Sequence, residues 1–195
     1  MACGLLSKGR GLDCNRISGG VKYIYFGVYD QFDAPIDGVG IVVVNSEITD
    51  IEMGAASGKL YRYTVPRGST TINETITGST ENGTLFYTPT VNMILNRLTK
   101  EDQNEIKLLG QTQVVVFAQL NATLANGHDV IVGMGVTNAM SLNAGTADSG
   151  AGFGDRNGYT LTFDGLEADP FPMVADFTTI PFDNAAFDIA SIVSS

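Results

Sequence analysis

The residues TINETIT (71–77), followed after a turn at 79–83 by TLFYTPTVN (84–92), decide how this sequence is read. Successive side chains of an extended strand point to opposite faces. The first run therefore sets Thr71, Asn73, Thr75 and Thr77 against Ile72, Glu74 and Ile76. The second sets Thr84, Phe86, Thr88, Thr90 and Asn92 against Leu85, Tyr87, Pro89 and Val91. Two such runs flanking a Ser/Thr/Asn/Gly turn predict a long antiparallel hairpin with one apolar and one neutral-polar face.

The chain on either side of the hairpin is also rich in strand signals. Upstream, Val21–Tyr29 is a strand of aromatic and β-branched residues, closed by a turn over Asp33–Gly38. The continuous apolar run Val39–Val44 predicts a strand buried on both faces, prolonged through Asn45–Met53 and broken at Gly54–Gly58. Lys59–Val65 alternates, with Tyr61, Tyr63 and Val65 on one side and Arg62 and Thr64 on the other. Downstream, one helix is expected over 99–109. Thr99 and Asp102 form a capping pair, acids crowd the first turn, Gly110 stands at the C′ position, and Ile106 and Leu109 supply the apolar stripe, with Leu98 leading in. Gln113–Leu120 and Asp129–Met134 read as strands separated by Asn126-Gly127, and Tyr159–Phe163 as the last strand. Residues 143–158 read as a Gly/Asp/Asn-rich loop.

These elements predict a mainly β (α+β) fold: an antiparallel β-sandwich or half-barrel with a long hairpin and one flanking helix. An arm over 1–20 precedes the core domain at 21–166. An acidic arm over 167–195 follows, and its Phe171, Phe177, Phe182 and Phe187 imply docking on a surface.

Composition narrows the function. A chain of 195 residues can bury a core without disulfides or metals. With 44% hydrophobic residues spread along it, disorder is excluded, and apolar runs such as Val114–Ala118 are far too short to cross a bilayer as a helix. Twenty-three Gly, nineteen Thr, no Trp and only 16% charged residues are an unusual profile. The net charge of −10 is graded: residues 1–70 hold seven acids and seven bases, 71–140 six and three, and 141–195 eight acids against Arg156 alone. Such blocks argue against a grip on phosphate backbones, which needs clustered Lys and Arg. They suit a wall past which nucleic acid slides, and equally plain solubility.

Catalytic constellations are not expected. His128, the only histidine, follows a turn-forming Asn-Gly and reads as an exposed turn residue. Asp164 and Glu167 flank Gly165 and could be imagined as glycosidase carboxylates, but read as solvated turn acids. The stretch Asp148–Gly158 is superficially like a calcium loop and lacks the alternating acids and terminal Glu of that pattern, while its glycines fit no dinucleotide fingerprint. Sequons at Asn73, Asn82 and Asn121 are expected by chance in a chain so rich in Asn and Thr. Cys3 and Cys14 either close an N-terminal loop or stay as thiols, and they lack the partners of a zinc site. No basic segment leading into a long apolar one opens the sequence, so cytoplasmic synthesis is expected, with no catalytic residue, cofactor, metal or membrane.

Two stretches carry a resemblance. One is Lys8-Gly9-Arg10, Cys14 and Gly19-Gly20-Val21-Lys22, leading into the aromatic strand. The other is Gly154-Asp155-Arg156-Asn157-Gly158-Tyr159-Thr160-Leu161-Thr162-Phe163 with Gly165-Leu166-Glu167-Ala168-Asp169-Pro170. With the element order (early strands, a hairpin at 69–92, a helix, closing strands, an arm), the chain resembles the major tail tube proteins of long-tailed bacteriophages. The resemblance implies a non-enzymatic virion protein, assembled in the host cytoplasm into stacked homo-hexameric rings that conduct DNA at ejection. Its implied partners are itself, the tape measure, the terminator, and a baseplate or sheath. On that picture Thr71, Asn73, Thr75, Thr77, Thr84, Thr88, Thr90 and Asn92 face the lumen without gripping DNA. Ile72, Ile76, Leu85, Tyr87 and Val91 pack on the subunit's own core, and both arms bridge neighbours. The rival readings are a tail terminator, a head-decorating protein, or a carbohydrate-binding β-sandwich. The last would display aromatics on a shelf, whereas Tyr25, Tyr29, Tyr61 and Tyr63 lie in alternating strands.

Overall fold

The structure, a computed structural model, describes residues 18–33, 40–53, 58–124, 126–175, 177, 181–189 and 191–194. Cys3, Cys14, the Lys8–Arg10 motif and most of the turn expected at 33–38 lie outside them. The chain is mainly β with few helices. In order, the elements are β1 (Val21–Val28), α1 (Tyr29–Asp33), β2 (Ile41–Val44), β3 (Glu47–Glu52), β4 (Lys59–Thr64), β5 (Thr71–Ser79) and β6 (Thr84–Asn96). Then follow α2 (Lys100–Leu109), β7 (Val114–Thr123), β8 (Asp129–Met134), β9 (Met140–Asp148), β10 (Gly158–Gly165), β11 (Met173–Val174), β12 (Phe187–Asp188) and β13 (Ser191–Ser194).

The organising strand is β7. Its run VVVFAQL is apolar at consecutive positions because both faces are covered. Val114, Val116 and Ala118 enter one core with Ile24 and Phe26 of β1, Val132 and Met134 of β8, Val91 and Met93 of β6, and Tyr159, Leu161 and Phe163 of β10. Val115 and Phe117 enter a second core with Tyr25, Leu60, Ile131, Ile48 and Ile51. The strands β4, β1, β7 and β8 thus form a middle layer. On one side lies the sheet β9-β10-β6-β5, and on the other β3 with the C-terminal segment. Along β1 the same alternation sends Ile24 and Phe26 one way and Tyr25 the other.

Tyr25 is a buried phenol, and a polar chain leads from it to the surface. Its hydroxyl donates to Gln119 Oε1 (2.7 Å), Gln119 Nε2 donates to Asp129 Oδ2 (2.6 Å), and Lys22 Nζ reaches the same oxygen (2.7 Å). The buried Gln119 is thereby satisfied at both ends of its amide, as a buried polar group must be. Burial, in the main, pushes the Tyr25 phenol up to about 12.

Several expectations are corrected. The strand over 21–29 ends at Val28, and Tyr29 opens the short helix α1. The turn into α1 brings Phe32 against Gly27, where a Cβ would collide with the Phe32 ring. The run at 39–44 is not buried on both faces, since Val43 and Val44 are 43% and 48% exposed. It does not continue as one strand either: Asn45 and Ser46 take positive φ (53° and 66°) and turn β2 back on β3. Residues 143–158 are not one loop. Residues up to Asp148 belong to β9, paired along β10, and only 149–157 are irregular. Gly145 fits there because a Cβ would lie 3.1 Å from a Leu161 methyl of β10.

The helix starts where its cap predicted, with Thr99 Oγ1 accepting from Asp102 N (3.0 Å). Gly110 closes it at φ −70°, a right-handed conformation, so this C-terminus does not use the glycine's left-handed freedom. Finally, the sheet is mixed. Each parallel pairing comes from the C-terminal segment, where β11 and β12 lie along β3 and β13 along β4. The segment is thus built into the chain's own fold. Phe177 and Phe182 are buried in the second core, and Phe182 stacks edge-on against Tyr25 (5.1 Å) and Phe117 (5.3 Å).

Candidate assembly surface on the long hairpin

The β5–β6 register runs from Thr71↔Asn92 through Thr75↔Thr88 to Ser79↔Thr84. Cross-strand partners share a face. Thr71, Asn73, Thr75 and Thr77 therefore stand beside Asn92, Thr90, Thr88 and Phe86, with Thr84 at the tip beside Ser79. Ile72, Glu74, Ile76 and Gly78 share the other side with Val91, Pro89, Tyr87 and Leu85.

The polar face extends beyond the hairpin. Thr162 pairs with Asn92 and donates its hydroxyl to Asn92 Oδ1 (2.9 Å), and Thr160 follows on the same side of β10. Across β10, Thr146, Ala144 and Ser141 of β9 continue the row, with Asn143 donating to Asp164 Oδ1. The outer side of this four-stranded sheet is thus mainly Thr, Ser and Asn, interrupted by Phe86 and by Ile94 opposite Thr160. Among the described residues its carboxylates are Asp164 and, at the end of β9 opposite Gly158, Asp148, and Arg156 lies at the same margin, 2.7 Å from Thr160 Oγ1. Thr160 and Thr162 were legible in the alternation YTLTF (159–163). Ser141, Asn143 and Thr146 were hidden because small residues without apolar alternation look like a loop.

The opposite side of the hairpin divides along its length. Val91 is fully buried and Ile72 packs on the first core. Tyr87 exchanges both backbone hydrogen bonds with Glu167 (2.8 Å each). Ile76 and Leu85 do not pack on the chain's own core: they are 64% and 58% exposed. The reason is length, for the pairing outruns the body beyond Tyr87 and leaves both faces of residues 75–86 in solvent. Moreover, β5 closes the sheet order, so among the described residues its outer edge has no partner.

The base of the hairpin is strapped down. Glu74 Oε1 accepts from Phe171 N (2.8 Å), and burial, helped by the charge of Glu167, raises the Glu74 carboxyl above its ordinary range against the pull of that amide. Glu167 is buried, in contrast to the solvated turn acid expected, and its Oε1 accepts from Thr137 N (3.3 Å) and Asn138 N (3.1 Å). Between these acids, Pro89 and Phe171 remains a cavity of about 70 Å³. Asp164 lies elsewhere, held by Asn143, so the two acids flanking Gly165 do not converge.

The other sequence candidates are structural. His128 is half-buried and stacks on Phe177 (5.0 Å, 12°). Asp155 Oδ2 accepts from Ala151 N (3.0 Å) and Gly152 N (2.6 Å), which closes the 149–157 loop on itself and holds this carboxyl below its ordinary range. Among the described residues no group of three or more His, Cys, Asp or Glu is placed to hold a metal. Nor is any described helix long and apolar enough to cross a membrane. Of the four tyrosines, Tyr25 is buried, Tyr63 packs edge-on against Phe26 (5.2 Å), Tyr29 donates to Thr137 O, and Tyr61 is 37% exposed. No family model, curated protein or solved structure matches the chain.

Proposed function

We propose that this chain is a self-assembling structural subunit, the tail tube protein of a long-tailed phage, acting without catalysis. The observation that carries the reading is the distal half of the β5–β6 hairpin. It has a strand edge without a partner among the described residues, a neutral polar face, and two large apolar side chains exposed on the other face. An edge strand of this length is a hazard in a monomer and is usually blunted by Pro, Lys or a bulge. TINETITGS (71–79) contains none of these. Pairing of β5 with a neighbour's hairpin satisfies the edge, and repetition around a closed ring removes every edge.

In such a ring the Thr/Asn face lines the bore and Ile76 and Leu85 are covered by the next subunit or the stacked ring. A bore of hydroxyls and amides hydrates well, and its one cation among the described residues, Arg156 at the margin, is no cluster for phosphates to bind. The acidic excess of the chain adds weak repulsion. Sedimentation velocity over a concentration series tests this. Rings and their multiples at the expense of monomer are expected; a single closed ring that grows no further indicates a terminator-like protein.

A further inference from the structure

We infer that the 149–157 loop is a knob that seats Phe153 in an apolar pocket beside α2 on a second copy of this chain. The inference rests on the self-assembly proposed above and names one contact that holds it together. Phe153 is fully exposed (114% of its reference area), at the tip of a loop that is not slack. Asp155 accepts from the amides of Ala151 and Gly152, Asp148 Oδ1 accepts from Gly150 N (2.9 Å), and Asn157 anchors the end by accepting from Arg97 N (2.6 Å) and Leu98 N (3.1 Å). The ring is therefore held out in water by a preorganised frame, which lowers the ordering cost of docking. Isolated aromatics of this kind are the usual anchors of interfaces.

The matching hole lies between α2 and the β1–β4 pair. It measures about 210 Å³ and is walled by Val28, Tyr61, Tyr63, Leu108 and Leu109. An apolar cavity of about 150 Å³ accommodates benzene, so this one admits a phenyl ring. Leu108, 57% exposed, stands at its mouth, and Glu105 is part of its lining. One pair of opposite charges agrees with shape. Arg156, the only base in residues 141–195, lies three positions from Phe153 and is ion-paired with no carboxylate among the described residues. Docking of Phe153 brings it toward Glu105. Knob and hole are different patches of the surface, so the contact is head-to-tail and propagates.

The test uses the full chain. Phe153→Ala and Arg156→Glu are expected to keep the monomer's circular dichroism and melting temperature, while raising the concentration needed for assembly at least tenfold. Glu105→Arg combined with Arg156→Glu is expected to restore assembly. With Cys3 and Cys14 replaced by Ser, a mixture of Phe153→Cys and Leu108→Cys chains is expected to form a disulfide-linked dimer on oxidation, and neither variant alone. If wild type assembles and Phe153→Ala assembles equally well, the knob is refuted and self-assembly stands. If wild type assembles at no concentration, self-assembly fails and this contact falls with it.

Discussion

Replacing Ile76 by Asp separates folding from assembly. In the single chain Ile76 is 64% exposed on the distal hairpin, opposite Tyr87 and beside Leu85, itself 58% exposed. A substitution at such a site changes folding stability by less than about 1 kcal/mol, mostly through strand propensity. Assembly is another matter. Fully burying an Ile or Leu side chain is worth roughly 1.5–3 kcal/mol, so covering the three-fifths still exposed contributes about 1–2 kcal/mol each. The Asp forfeits that gain and must also be desolvated, an uncompensated cost of a further few kcal/mol. A total of at least about 3 kcal/mol per contact is more than a hundredfold in association constant. Urea denaturation of the dilute chain should therefore match wild type, while light scattering of the concentrated chain should show no assembly. Normal assembly refutes the assignment of this face to an interface. A stability loss above about 2 kcal/mol refutes it differently, by showing that Ile76 is core.

Further outcomes test the rest of the account. Phe182→Ala should cost about 3–5 kcal/mol in urea denaturation, because its ring fills the second core between Tyr25 and Phe117; a cost under 1 kcal/mol would mean the C-terminal segment is not part of the fold. The Tyr25 phenol is held at about 12 against an unfolded value of 10.0, so its contribution is complete below pH 10 and is lost as pH rises toward 12. Melting experiments should show a fall of about 1.4 kcal/mol per pH unit from this group over that window, absent in Tyr25→Phe. Glu74 has its carboxyl raised, so ionisation works against the fold as pH climbs through its titration. Glu74→Gln keeps the acceptor for Phe171 N and should be more stable than wild type at pH 7, with the difference vanishing in acid; a less stable variant at pH 7 contradicts the burial cost assigned to this carboxylate. Thr75→Arg with Thr88→Arg puts two cations side by side on the neutral face. Assembled wild type should leave DNA in the supernatant on sedimentation, and the variant should carry it down in a salt-dependent way.

The hairpin was readable because period-two alternation is strong where one face is apolar and the other is Thr-rich, and its register follows from a short turn. Where it ends relative to the body was not readable. Ile76 and Leu85 have the same local pattern as Ile72 and Val91, and only the reach of the other strands decides which pair is covered. Consecutive apolar residues misled in one place and informed in another. Val114–Ala118 lies between two cores, whereas Val39–Val44 leads into an edge hairpin whose turn, Asn45-Ser46, carries no glycine to announce it. Strand β9 escaped because its Ser, Asn, Ala, Gly and Thr residues pack little, and its pairing with β10 is invisible to a local reading. Glu167 looked solvated, since nothing near it in sequence reveals the amides of Thr137 and Asn138.

The central claim is that this chain polymerises through its hairpin into a hollow conduit. Negative-stain electron microscopy of the purified full chain, concentrated at neutral pH, addresses it most directly. Hollow tubes of constant bore, absent for Ile76→Asp, are the predicted result. A wild-type chain that remains monomeric at every concentration, or tubes formed equally by Ile76→Asp, would contradict it.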